Sequence, residues 1–258
     1  MRLALTIILF LLFTLPAQAS DRTVTDALGR TVAVPSQVEH VICSGSGCLR
    51  LLTYLQGQDM IVGVDDMEGR RRTFDARPYA LANPQFKTMP VFGEFRGHDN
   101  PERILTLEPQ PHIVLKTYTS SMGYDPQELQ DKTGIPVVAL NYGNLTALRP
   151  SLYDSLRLMG QIIGKVQRAE DVITFIESTI ADLKRRTTDI PEGMRPTVFL
   201  GGVAFKGPHG FQSTEPSYPP FQFINATNLA YDSSFSQLEL SNTNVSKEQI
   251  VAWDPDYL

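Results

Sequence analysis

Little in this chain points to a framework held by disulfides or metal. Two cysteines in 258 residues, Cys43 and Cys48, are too few for a disulfide-built miniprotein or a multi-thiolate centre. Four histidines, none in a recognisable hydrolase motif, provide no nucleophile–base–orienter set. Basic residues are outnumbered 23 to 28, and a net charge of −5 argues against a nucleic-acid binder, which needs a basic face to neutralise phosphates. No apolar run reaches the ~20 residues that span a bilayer. No internal repeat or low-complexity tract is present. Apolar residues at 42% and charged residues at 20% instead exclude a disordered tail or a polytopic membrane protein. The length suffices for one large domain or two smaller ones with real cores. Glycine and proline, 18 each, mark many turns, as in an α/β protein with short connections.

The first 19 residues read as a secretory signal. Arg2 supplies the positive start, residues 3–15 are apolar apart from Thr6 and Thr14, and Ala17-Gln18-Ala19 is a small-x-small cleavage site. No cysteine follows it, so a lipoprotein anchor is not expected. Cleavage after Ala19 predicts a soluble, exported, acidic protein.

Residues 22–35, RTVTDALGRTVAVP, predict a β-hairpin turning at Asp26 and Gly29. Strand patterns follow at 40–43, 61–64, 89–92, 112–116 and 137–140, with helical stretches at 49–55, 101–107 and 126–132 between several of them. This alternation predicts βαβ units and a mostly parallel sheet, with ligands bound along the edge where the strands end. Residues 151–187 form the longest helical stretch, interrupted at Gly160 and Gly164. Its second half, from about Gln167, carries an apolar stripe of Val172, Ile173, Ile176, Ile180 and Leu183, and would be ~30 Å long. Lys184-Arg185-Arg186 suits a helix C-terminus. A strand at 197–203 opens a second lobe.

The order of the hairpin TVTDALGRTVAVP, HVICSGSGC, VGVDD, NPERILTLEPQPHIVL, the long helix and VSKEQIVAWDPDYL resembles the substrate-binding proteins of ABC importers for ferric siderophores, haem and cobalamin. The resemblance covers about 23–258, and the helix-then-strand phrase occurs once in each half. It implies an α/β fold of two Rossmann-like lobes joined by a long rigid helix. The expected organisation is a signal peptide at 1–19, an amino-terminal lobe at 20–150, a helical linker at 151–194 and a carboxy-terminal lobe at 195–258. In the family the chain continues beyond VSKEQIVAWDPD, so the second lobe is expected to be incomplete. The implied role is capture of a metal chelate in the periplasm and its delivery to an ABC permease at the inner membrane. The protein would act as a monomer, without enzymatic activity, cofactor or nucleic acid. The rival readings are a bare metal-ion binding protein of an importer and an exported α/β enzyme.

Candidate ligand contacts gather at the predicted strand ends. Ser44-Gly45-Ser46-Gly47 opens a helix, where free N–H groups and the helix dipole suit an anionic or carbonyl-rich ligand. An ordinary Gly-rich turn is the plainer reading. Arg50 stands where a dinucleotide fingerprint needs its third glycine, and Ser44 where a nucleophile elbow needs its first. Asp66 follows the second strand, with arginines at 70, 71, 72 and 77 beyond it that suit carboxylates or phosphates. Arg96, Tyr118 and Tyr142 follow later strands, and two aromatics there would wall a large planar ligand. Lys206, His209, Ser213 and Tyr218 lie in a loop-rich stretch of the second half. His209 with Glu215 is too sparse for a metal site. Cys43 and Cys48 form a candidate disulfide, two buried thiols or, less in keeping with the absence of a nearby histidine, a metal pair. Glu102 and Glu248 occupy matching helix positions. The resemblance implies that they dock on permease arginines, whereas the simpler reading is dipole stabilisation.

Overall fold

The first hairpin follows from alternating Thr and Val around one acidic turn. Strands β1 (Arg22–Thr25) and β2 (Thr31–Val34) pair antiparallel with Val24 opposite Val32, both buried. Asp26 accepts hydrogen bonds from the N–H groups of Leu28 and Arg30 and pairs with the Arg30 guanidinium at 2.6 Å. It also accepts from Ala139 N, which ties the hairpin to the main sheet. The computed structural model describes residues 22–70, 77–119, 123–203, 210–231 and 243–258. The signal reading of residues 1–19 lies outside them, and no helix among the described residues is long and apolar enough to cross a membrane.

The chain then runs through β3 (Val41–Ser44), α1 (Cys48–Tyr54), β4 (Ile61–Asp65), α2 (Asp66–Gly69), α3 (Pro78–Ala82), β5 (Val91–Glu94), β6 (His98–Asp99), α4 (Pro101–Leu105), β7 (Ile113–Thr117), α5 (Pro126–Thr133) and β8 (Val137–Leu140). Six strands form one sheet in the order β6-β5-β4-β3-β7-β8, parallel except for the edge strand β6. Burial alternates with the two-residue period of a strand. Val41, Cys43, Ile113, Leu115, Val138 and Leu140 face one apolar core with α1 and the long helices. Ile42, Val114 and Val137 face the other, with Ile104 and Leu129 from α4 and α5. A sheet covered on both faces explains why its strands read as near-continuous apolar runs.

Helices α6 (Arg149–Ile162) and α7 (Val166–Thr187) follow. Only Gly164 marks the break between them. Gly160 lies inside α6, where a Cβ would meet that of Ala169 at 2.9 Å, so it permits close packing of α7 and does not interrupt the helix as expected. At ~1.5 Å per residue α7 is ~33 Å long. Ala169, Ile173 and Ile180 form its buried stripe, and Arg185 and Arg186 both pair with Asp182.

Beyond α7 the elements are short: β9 (Thr197–Val198), β10 (Ser213–Thr214), α8 (Pro219–Phe223), β11 (Thr227–Asn228), β12 (Thr243–Asn244) and α9 (Lys247–Trp253). β9 pairs parallel with β11 and bridges to Tyr257, while β10 pairs antiparallel with β12. Phe199, Val245 and Ile250 form a small separate core. The strand expected over 197–203 ends at Val198. The chain turns at Gly201-Gly202, and Gly202 N and Val203 N bond to the carbonyls of Phe211 and Ser213 instead.

Candidate functional site

The sheet order places a topological switch at β3, whose two neighbours are reached by connections running in opposite directions. Open α/β sheets bind ligands in the crevice at the carboxyl ends of such strands. Here that crevice is lined by the loop after β3. Gly45 (φ +83°) presses so closely on β7 that a Cβ would lie 2.2 Å from the Thr117 carbonyl. Gly47 (φ +76°) would meet the Tyr142 ring at 2.1 Å. Both positions therefore require glycine, for close packing as well as for backbone conformation. Thr117 Oγ1 donates to the Ser46 carbonyl (2.8 Å), and Arg50 donates to the Tyr142 hydroxyl (2.6 Å) while its guanidinium lies 5.3 Å from the ring centre. The loop thus arrives braced, with half-buried Ser46 and Tyr118 and exposed Tyr142 at its rim.

Ser44 closes β3. It lies fully buried beneath the loop and donates to Asp99 Oδ1 (2.6 Å). Its register partner on β7 is Lys116, equally buried, whose ammonium donates to Ser44 Oγ, to the Gly97 carbonyl (each 3.0 Å) and to Asp99. This hydroxyl is committed to an internal ion pair. The same network pins the turn that carries Arg96, a left-handed residue at φ +70° whose guanidinium packs 5.4 Å from the Phe95 ring centre. Nothing in the sequence singled out Lys116; the only signal was a lysine closing an apolar run.

Asp66 braces this turn from the other side. One carboxylate oxygen accepts from Phe95 N (2.8 Å) and the other pairs with Arg70 (2.6 Å). Partial burial opposes its charge, but Arg70 and the Phe95 N–H outweigh it and hold the carboxyl below its usual range. Asp65 behaves oppositely. Burial, then the neighbouring Glu68 charge, push it up to about 7. Glu68 is itself buried, with Oε1 accepting from Arg77 (2.8 Å) and Tyr79 (2.7 Å) and Oε2 shut from solvent without a partner.

In the second half, Ser213 opens β10. It is buried and donates to the Val203 carbonyl at 2.9 Å. Glu215 is buried and accepts from Ser217 Oγ (2.9 Å), while half-buried Tyr218 packs edge-on against Phe221. Lys206 and His209 lie outside the described residues. Cys43 and Cys48 are buried free thiols rather than a disulfide. Cys48 faces inward from the first turn of α1 and donates to the Leu115 carbonyl. Burial and then the adjoining Cys48 raise the Cys43 thiol. Among the described residues no group of three or more His, Cys, Asp or Glu could hold a metal ion.

Glu102 and Glu248 occupy equivalent places. Each is exposed in the first turn of a short helix, after a side-chain cap: Asn100 accepts from Arg103 N (2.9 Å), and Ser246 from Gln249 N (3.1 Å). Ile104 and Ile250, four residues after each cap, anchor the two turns in their cores.

A family profile described as periplasmic binding protein matches residues 41–258. The chain belongs to the periplasmic binding protein family. Similar solved folds include the molybdate-bound periplasmic binding protein MolA of Haemophilus influenzae, with 21% identity and a TM-score of 0.65, covering 91% of this chain and 72% of that one. The petrobactin-binding protein YclQ of Bacillus subtilis shares 17% identity with a TM-score of 0.64, covering 93% and 76%. The heme binding protein HmuT shares 19% with a TM-score of 0.55, covering 93% and 72%. A periplasmic solute binding protein of Veillonella parvula is covered over only 66% of its length. No curated protein sequence matches. As a periplasmic binding protein the chain is assigned to a family of exported transport proteins rather than enzymes.

Proposed function

We propose that this protein is the substrate-binding component of an ABC importer, taking up an iron–siderophore or related metal chelate in the periplasm and passing it to the membrane permease. The family match over residues 41–258 carries this reading. Two neighbours of like fold are a petrobactin-binding protein and a heme binding protein, which supports a chelate as cargo. Within the site, Ser46, Gly47, Tyr118 and Tyr142 form the rim that would receive it, with Arg96 beyond the Lys116 network. A braced rim suits the task, because a ligand loses least when the surface that binds it is already ordered. No bond is made or broken.

Glu102 and Glu248 would dock on the permease, one from each half of the chain. Their exposure, matching caps and lack of any ion pair among the described residues support that role. Cleavage after Ala19 would release the mature protein.

Thermal melts of the exported chain with ferric siderophores, haem and cobalamin test the cargo. A ligand at 100 times its Kd adds about 2.7 kcal/mol of stability. A selective upward shift is expected, and a cooperative melt that none of the three classes moves would overturn the chelate reading. Substituting Glu102 and Glu248 with alanine should abolish uptake and leave ligand affinity unchanged. Weakened binding by the purified double variant would remove the docking role.

A further inference from the structure

Beside the segment that leaves β8, a cavity of about 410 Å³ opens between residues 145–149, the last turns of α7, and α8 with Tyr231. Its described lining holds two cations, Arg149 and Lys184, and no carboxylate, in a chain whose net charge is −5. Lys184 makes no ion pair with a described residue, and Arg149 makes only a long one. Glu177 stands 3.6 Å from Arg149 Nε, and Arg149 Nη1 is shut from solvent with no hydrogen-bond partner. The nearest acid in sequence to Lys184 is Asp182, and it is taken by Arg185 and Arg186. The amides at the cavity are already engaged: Asn225 donates to Thr187 and Gln222 to the Ser217 carbonyl. Phe223 and Tyr231 supply aromatic surface. A neighbouring cavity of about 480 Å³ also touches Arg149, but Asp154 and Glu177 in its lining make it unfavourable for anions.

We infer that the cavity between residues 145–149, α7 and α8 binds a small organic anion, its carboxylate or phosphate held by Arg149 and Lys184 and its apolar body against Phe223 and Tyr231. Two cations on one concave surface, Lys184 without an ion pair among the described residues and Arg149 with a buried Nη1 that has no hydrogen-bond partner, favour an oxyanion, and the guanidinium offers it paired donors. The volume lies in the range of small-molecule sites. An occupant would bridge the segment after β8 to α7 and α8, so binding would stabilise the joint between the two halves. The inference goes beyond the import reading and uses none of the residues assigned to the chelate.

Calorimetric titration of the exported chain with phenyl phosphate, and separately with inorganic phosphate, tests it. Phenyl phosphate should bind, and more tightly than phosphate because its ring buries apolar surface. Each of Arg149→Gln and Lys184→Gln should weaken it by about tenfold or more, the scale of one lost charge-assisted hydrogen bond. Lys184 is exposed, so its variant should melt as the parent does; this controls for misfolding at Arg149. Tyr142→Ala should leave the affinity unchanged. Absence of binding, binding that survives the double variant, or loss of binding with Tyr142→Ala would each overturn the site. A cargo panel without a hit would overturn only the chelate reading.

Discussion

Lys116 and Glu68 are both buried among charges at the carboxyl edge of the sheet, yet their surroundings are built in opposite ways. Around Lys116 every strong group is matched: the ammonium has Asp99, Ser44 and the Gly97 carbonyl, and Asp99 has Lys116 and Ser44. Around Glu68, among the described residues, its own carboxylate takes the Arg77 ion pair while the neighbouring Asp65 has none, and Glu68 Oε2 has no hydrogen-bond partner. A matched buried pair fixes geometry. Burial, and then the neighbouring Glu68 charge, push Asp65 up to about 7, so this cluster is relieved by binding a proton.

The largest effect should come from breaking the matched network. Lys116→Met leaves Asp99 buried beside a single hydroxyl and is expected to cost about 3–5 kcal/mol in denaturant unfolding. Adding Asp99→Asn should recover part of that loss, because the stranded charge is gone. A single variant as stable as the parent would show that the network contributes little. The loss should also loosen the turn at Arg96, whose neighbouring Gly97 carbonyl is held by Lys116.

The mismatched cluster predicts the next effect, and its sign is unusual for a carboxylate. Asp65 binds its proton more tightly in the folded state, near 7 against an ordinary 3.8. Its contribution is therefore fully present below about 3.8, is lost as pH rises through 7, and is gone above that. At ~1.4 kcal/mol per pKa unit the window spans at most roughly 4 kcal/mol. Paired carboxylates elsewhere act in the opposite direction, so the readout is the difference between parent and Asp65→Asn across pH 4–8. The asparagine keeps an oxygen able to cap α2 through Met67 N. The variant should gain on the parent as pH rises; a constant difference would contradict the raised value.

The same contrast shows what the sequence could reveal. Strands β3, β4, β7 and β8 were legible because a sheet covered on both faces demands unbroken apolar runs, and the hairpin because Asp26 and Gly29 punctuate two runs of β-branched residues. The antiparallel edge strand β6 was not, since two residues carry no period. Nor were the buried charges. Lys116 reads as the polar exit of a strand, and its partner Asp99 lies 17 residues away on that same unreadable edge. Ser44 looked like a loop donor because glycines follow it, but its register opposite Lys116 turns it inward. That the Tyr142 ring packs against Gly47 is likewise a tertiary fact.

The smallest effect concerns Asp66, which has one partner of each kind. Its bond to Arg70 lies at the surface, where water and salt compete and an ion pair adds little. Its bond to Phe95 N fixes backbone beside the left-handed Arg96. Arg70→Ala should therefore leave the melting temperature unchanged, whereas Asp66→Ala should cost about 1 kcal/mol, the scale of one lost hydrogen bond. If Arg96 contributes to the rim, Asp66→Ala should also weaken cargo binding while Arg70→Ala does not. Equal losses from the two variants would mean that the surface pair, rather than the backbone brace, sets the position of the turn.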